Sequence, residues 1–313
     1  MHKPNLFSRM IVKLKSYIIE LLIIFPILNK DLIENDSHGT FYTRSRLLRK
    51  YSNLLAKVMS QVNFNQDILV SSKGTIYTLH NGIYLNNQLT DRYFNVTTGM
   101  QVNEGKELLE FLIQKDIQVK QMIDVGACFG EISLWFSKML PEAKVLAIEA
   151  SPDNLAIFKN NLNNQSFPVK NITIVEEAVS DKSGHTQITK DLGSENSIAY
   201  NPTASQNQLT VPTDTLSNII DRFNIKNVDF MKIDIEGAEP LLYECLEKNL
   251  EKIKSIYCEF SFKSSKENCY KLLGLFFEKG LSCYEEAGNE LQLQEAKNIL
   301  SKPVVNLCFI NER

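Results

Sequence analysis

The sequence predicts an α/β fold: a doubly wound, mostly parallel seven-stranded sheet with an N-terminal helix and a small β-meander annex. Three observations carry this. From about Glu104 onward, short β-branched runs alternate with amphipathic helical patterns, as strands joined by crossover helices do. A glycine turn follows the first of these runs directly. Of the 313 residues, 43% are hydrophobic and 23% charged, an ordinary globular mix well away from the composition of disorder. At about 150 residues per domain, the length suits one large domain with an annex. The boundaries expected are an amphipathic helix and linker over 1–40, a helix and meander over 41–103, and the main domain over 104–313.

Lys plus Arg number 34 against 37 Asp plus Glu, a net charge of −3. The basic excess of a nucleic-acid-binding surface is missing, so nucleic acid is not expected as a partner. Six cysteines (Cys128, Cys245, Cys258, Cys269, Cys283 and Cys308) include no C-x-x-C pair. That spacing fits neither a zinc site nor a disulfide framework, and free cysteines suit a reducing cytoplasm.

In the N-terminal segment, Ile11, Leu14, Ile18, Leu21, Phe25 and Leu28 step by three and four, an amphipathic helical stripe. Its longest uncharged run, Leu21–Asn29, is nine residues, against about 20 for a membrane span. The stripe reads as a helix docked on the catalytic domain or on a second copy. The cations Lys13, Lys15, Arg44, Arg46, Arg49 and Lys50 also suit a peripheral membrane surface. In the annex, Ile68-Val70, Thr75-Leu79 and Ile83-Leu85 are strand runs separated by the turn signals Ser72-Lys73-Gly74 and Asn81-Gly82.

In the main domain the strand candidates are Gln121-Val125, Lys144-Glu149, Ile172-Glu177, Phe230-Ile235, Ser255-Ser261, Leu281-Glu286 and Pro303-Ile310. Helical patterns over Leu108-Gln114, Ile132-Leu140, Asn154-Asn163, Thr215-Phe223, Pro240-Leu250 and Lys266-Lys279 alternate with them. Ligands of such sheets bind at the carboxyl ends of the strands, near the switch point.

The first strand ends in Asp124-Val125-Gly126-Ala127-Cys128-Phe129-Gly130, and glycines at such a turn let a ligand approach the main chain. The second strand ends in Glu149-Ala150, where an acid accepts hydrogen bonds from both hydroxyls of a ribose. A dinucleotide site needs G-x-G-x-x-G around a pyrophosphate, and the spacing from Gly126 to Gly130 fails that test. Asp124 would repel a pyrophosphate but suits an ammonium group. S-adenosylmethionine carries a ribose, an amino group and a sulfonium and no phosphate, so it fits these acids better. Ser151-Pro152 is a sound helix start, which leaves Asn154 either an early helical residue or a cofactor contact. Glu177-Ala178 ends the third strand, where Glu177 either accepts from an adenine amine or is solvated.

The fourth strand runs into Lys232-Ile233-Asp234-Ile235-Glu236-Gly237-Ala238-Glu239-Pro240, with Lys232, Asp234 and Glu236 on one face by alternation. Carboxylates crowded at a sheet edge repel one another and need a cation, a proton or a partner such as Lys232. This cluster, with Glu259 at the end of the fifth strand, offers a base for a substrate hydroxyl or ligands for a hard divalent metal. Lys232 and Glu239 are expected to contact the substrate, with Glu239 at a helix start alternatively a dipole residue. The insertion between Asp181 and Asn227 reads as a hairpin near His185-Thr189 and Gln208-Pro212 around a polar loop. In that loop Ser194, Asn196, Ser197 and Tyr200 suit an alcohol or a sugar.

The runs Ile123-Asp124-Val125-Gly126-Ala127, Ile148-Glu149-Ala150-Ser151-Pro152, Glu177-Ala178-Val179-Ser180, Val211-Pro212-Thr213-Asp214-Thr215-Leu216 and above all Lys232-Ile233-Asp234-Ile235-Glu236-Gly237-Ala238-Glu239 resemble the FkbM family of methyltransferases. The resemblance covers roughly Glu104 to Glu259. It implies a Rossmann-like class I methyltransferase fold, S-adenosylmethionine as cofactor and methyl transfer to a hydroxyl of a sugar, glycan or polyketide-like molecule. By position, Asp124, Gly126, Ala127 and Glu149 would bind the cofactor, and Asp234 and Glu236 would border the transfer site. Cys128 departs from the Asn or Gly of many such loops, and Ser261 stands where family members often have His.

The expectation is therefore an O-methyltransferase acting by in-line displacement on a hydroxyl-bearing substrate. Its rivals are a nicotinamide-dependent oxidoreductase and a non-catalytic glycan-binding or assembly protein that kept the fold.

Overall fold

The computed structural model describes residues 32–33, 42–43, 67–70, 76–80, 82–87, 94–189, 197–198, 208–261, 265–285, 288–302 and 304–312. The helical stripe expected over Ile11–Leu28 and the loop residues Ser194, Asn196 and Tyr200 lie outside them. The chain divides into two units, Met1–Gly99 and Met100–Arg313. Among the described residues, no helix is long and apolar enough to cross a membrane.

In the first unit, the strands Asp67–Val70, Ile76–His80 and Ile83–Asn87 form the antiparallel meander read from the sequence. Pairing of His80 with Ile83 leaves a two-residue loop with Gly82 at φ +80°, a hairpin turn that favours glycine. Leu32–Ile33 pairs antiparallel with Tyr42–Thr43.

Helix α1 (Phe94–Gln114) leads into the second unit, where β1 (Gln121–Val125) is followed by α2 (Glu131–Met139), β2 (Lys144–Ile148), α3 (Pro152–Asn163) and β3 (Ile172–Val175). A small sheet follows, of β4 (Ala178–Ser180), β5 (Gly184–Thr189) and β6 (Gln208–Thr215), before α4 (Leu216–Arg222) and β7 (Phe230–Ile233). Then come a 3-10 turn (Glu239–Leu242), α5 (Tyr243–Asn249), β8 (Ser255–Ser261), α6 (Lys266–Glu278), β9 (Ser282–Glu285), β10 (Glu290–Leu291), α7 (Leu293–Ile299) and β11 (Val304–Ile310).

The main sheet has the order β10-β9-β11-β8-β7-β1-β2-β3. Strands β8, β7, β1, β2 and β3 are parallel, and β11 is antiparallel between β8 and β9. The seven expected strands are all present. An eighth, the two-residue β10, extends the edge and is too short to carry any alternation. Strand order reverses between β1 and β7, which opens a crevice at their carboxyl ends.

Alternation along the strands assigns the two faces. Ile123, Val125, Leu146, Ile148, Met231, Ile233, Ile256 and Cys258 join α4, α5 and α6 in the larger core. The residues between them point the other way: Ala147 packs with Phe158 of α3, and Asp124, Lys232 and Tyr257 stand in register on adjacent strands. Ser151 caps α3 by accepting from the Asn154 N–H, with Pro152 at the first helical position.

Candidate functional site

Three loops meet at the carboxyl edge. After β1 the backbone turns through Gly126 at φ +81° and Cys128 at φ +51°. A Cβ at Gly126 would lie 1.8 Å from the Asp234 carbonyl oxygen, so the close approach of the β1 and β7 loops requires glycine. Gly130, at φ +83°, would place a Cβ 2.0 Å from the Phe158 ring. Its role is therefore packing of α2 against α3. The β7 loop bends through Glu236 at φ +57° and Gly237 at φ +97°. A left-handed non-glycine residue is uncommon, and Cys128 and Glu236 both line the same cleft.

The cleft and its open mouth span about 670 Å³. Its polar wall is Gly126, Cys128, Glu149, Ala150, Ser151, Asn154, Glu177, Ala178, Ser197, Asp234 and Glu236. Its apolar wall includes Val125, Ile148, Val179, Ile188, Ile198 and Ile235. Cofactor candidates from four strand ends thus come together.

Glu149 is the most tightly held of them. Its Oε1 accepts from the Ser151 N–H at 2.7 Å and the Asn154 amide at 3.3 Å, and its Oε2 accepts from the Cys128 N–H at 2.9 Å. Burial pushes the carboxyl up to about 7, against the pull of these donors. A fourth donor, the Ala150 N–H, also faces the carboxylate. Asn154 positions Glu149 while lining the cleft. Glu177 also lines the cleft, with its carboxylate gripped by Arg222 through bonds of 3.0 and 2.8 Å.

Several expected contacts are taken up by other parts of the protein. Asp124 is buried below it, accepting from the Ser133 hydroxyl at 2.6 Å and lying 3.6 Å from the Lys232 Nζ. An ammonium partner exists for Asp124 as expected, but it is the lysine and not a ligand. Ala127 is buried with Phe158 and Ala147. Lys232, expected at the substrate, is 3% exposed; its Nζ donates to the Gly126 carbonyl at 3.1 Å and pairs with Asp234 at 3.1 Å. Glu239 is 0% exposed, its Oε1 accepting from the Ile235 and Gly237 N–H groups at 3.0 Å each. It braces the β7 loop and does not face a substrate. The Ser197 hydroxyl donates to the Glu236 and Ile235 carbonyls at 2.9 and 3.2 Å. It ties the insertion to the β7 loop instead of offering a donor to a sugar.

Asp234, Glu236 and Glu259 each present an oxygen within 4.8 Å of the others. Burial, then the charges of Asp234, Glu236 and Glu239, push the Glu259 carboxyl well above its usual range, with Lys232 opposing. Crowding of these carboxyls therefore favours the protonated form of Glu259. Burial likewise lifts Glu239 to about 7.

S-adenosylmethionine fits this site. Glu149 places a carboxylate in the wall, the isoleucines of the insertion and of the β7 loop suit a purine, and no Lys or Arg stands in the described wall to meet a pyrophosphate. Sequence reasoning missed Ile188 and Ile198 as walls and Arg222, Ser133 and Tyr257 as partners.

The sequence profile of the methyltransferase FkbM domain matches residues 124–295. No curated protein matches the chain. Among solved structures, the chain is similar to the METTL16 methyltransferase domain at 11% identity and a TM-score of 0.43, covering 96% of this chain and 92% of that one. The plantazolicin methyltransferase BpumL in complex with SAH has 12% identity and a TM-score of 0.41 over 71% and 88%. Precorrin-6y C5,15-methyltransferase from Geobacter metallireducens GS-15 has 13% identity and a TM-score of 0.35 over 63% and 81%. With its profile match spanning more than half of the sequence, the chain belongs to the FkbM family of methyltransferases, and S-adenosylmethionine is its methyl donor.

Proposed function

We propose that the chain is an O-methyltransferase acting on a hydroxyl of a sugar, glycan or polyketide-like small molecule. The observation that carries this reading is the pair of cleft-lining carboxylates, Asp234 and Glu236, at the end of β7. When bound, S-adenosylmethionine supplies an electrophilic methyl group on a sulfonium. An alcohol is a weak nucleophile at neutral pH and needs an acceptor for its proton as the new bond forms, a contribution of about 10²–10⁴-fold. Asp234 and Glu236 are suited to that role, with Glu259 donating a hydrogen bond to keep the acceptor hydroxyl in place. Glu149 and the Gly126 turn orient the donor, and positioning supplies much of the remaining acceleration.

Two measurements test the reading. Isothermal titration with S-adenosylhomocysteine is expected to show one-to-one binding. Incubation of cell extract, separated into lipid and glycan fractions, with methyl-labelled S-adenosylmethionine is expected to give a labelled methyl ether. Label recovered only on nitrogen or carbon would overturn the hydroxyl assignment.

A further inference from the structure

Beneath the cleft lies a row of polar groups that donor binding and proton acceptance, as described, do not use. Asp124, Lys232 and Tyr257 are in direct register across β1, β7 and β8, on the face away from the larger core. Each is at most 3% exposed. The Tyr257 hydroxyl donates to Glu104 of α1, which covers the end of the row. The Lys232 ammonium has three protons to place. Two go to the Gly126 carbonyl and Asp234, each at 3.1 Å, and Asp124 lies 3.6 Å away as an ion pair.

Two of those three partners, Gly126 and Asp234, belong to the cleft wall, and they come from different strands. They are the same pair whose backbones approach too closely for a Cβ. A buried ammonium is a poor device for stability alone, because replacing a buried ion pair by apolar residues of similar volume is often neutral or stabilising. What the cation adds is direction: a fixed separation between one carbonyl and one carboxylate on opposite sides of the crevice. We infer that Lys232 is a positioning residue for the methyl-donor pocket, holding the Gly126 turn and the Asp234 carboxylate in the geometry that receives the donor. This deepens the proposed function and rests on its placing of the donor between the β1 and β7 loops.

Removing Lys232 alone strands Asp124 as a buried uncompensated charge, which threatens the fold. The informative variant is therefore the double substitution Asp124→Asn with Lys232→Met, compared with Asp124→Asn alone. Thermal melting reports folding, and titration with S-adenosylhomocysteine reports the pocket. Asp124→Asn, which leaves Lys232 on both wall groups, is expected to bind within threefold of the unaltered protein. The double variant is expected to fold and to bind at least fivefold more weakly than Asp124→Asn. A smaller loss would overturn the proposal. So would a double variant that does not fold while Asp124→Asn does, since Lys232 would then serve the sheet and not the pocket. Absence of binding by the unaltered protein would defeat the donor placement itself, a different failure from the loss of the Lys232 role.

Discussion

Two loops of one sheet edge solve the same problem, a carboxylate held near the cleft, in opposite ways. After β2, Glu149 is held by four N–H donors, three of them backbone. After β7, Asp234 and Glu236 lie within 4.8 Å of Glu259, with Glu239 buried behind them and one cation, Lys232, below. Backbone dipoles fixed by the fold need no rearrangement when a ligand arrives, which suits a binding group. Mutual repulsion among carboxyls separates their proton affinities, as groups that exchange protons require. Under the proposed function, the β2 loop would serve recognition and the β7 loop chemistry.

The largest expected effect breaks the meeting of the loops. Gly126→Ala forces a Cβ into the Asp234 carbonyl at a left-handed φ. A loss of about 3 kcal/mol or more is expected as a lowered urea midpoint. The next separates the loops. Glu149→Ala leaves the Cys128 and Ser151 N–H groups without their acceptor and is expected to weaken S-adenosylhomocysteine binding about 100-fold, near 3 kcal/mol. Asp234→Asn, which keeps an oxygen for Lys232 to meet, is expected to lower kcat about 100-fold while affinity changes less than fivefold. Equal effects of the two substitutions on affinity would erase the division of labour.

A weaker signature lies in pH. Glu149 and Glu239 both rise from 4.5 to about 7 on folding. The native state then binds more protons than the unfolded one between those values. Their contribution is complete below pH 4.5, and stability falls as pH climbs from 4.5 to about 7. Melting temperatures of the ligand-free protein are expected to decline over that window, and less so in Glu149→Gln. The smallest effect belongs to the rim: Arg222 is 42% exposed where it meets Glu177. Arg222→Ala is expected to shift stability by less than about 1 kcal/mol, seen as a melting change of a few degrees.

Much of this was legible from local patterning. The strand ends at Val125, Ile148 and Ile233 fall within two residues of the sequence reading because apolar runs there stop at glycines and acids. Helix α3 begins at Pro152 because Ser151-Pro152 is a cap followed by a fixed φ. Helix α1 was underestimated: it starts at Phe94 and not Leu108, since its first half, with Thr97, Thr98, Gly99 and Asn103, has no clear apolar period. The acids of the cleft were all found. Their roles were less legible, because Asp124, Asp234 and Glu239 look alike in a chain and differ only in what surrounds them.

The sequence by itself determined the alternating α/β pattern, the glycine turn after β1, the acid after β2 and the acidic run after β7. All of these depend on neighbours a few residues away, where period and turn chemistry act. Only the tertiary structure decided which acids reach the cleft. Whether Lys232 meets a substrate or Gly126, 106 residues earlier in the chain, depends on which strands lie side by side and in what register. That pairing also surrounds Glu149 with N–H donors and Asp234 with one buried cation, so two chemically similar carboxylates stand in different surroundings.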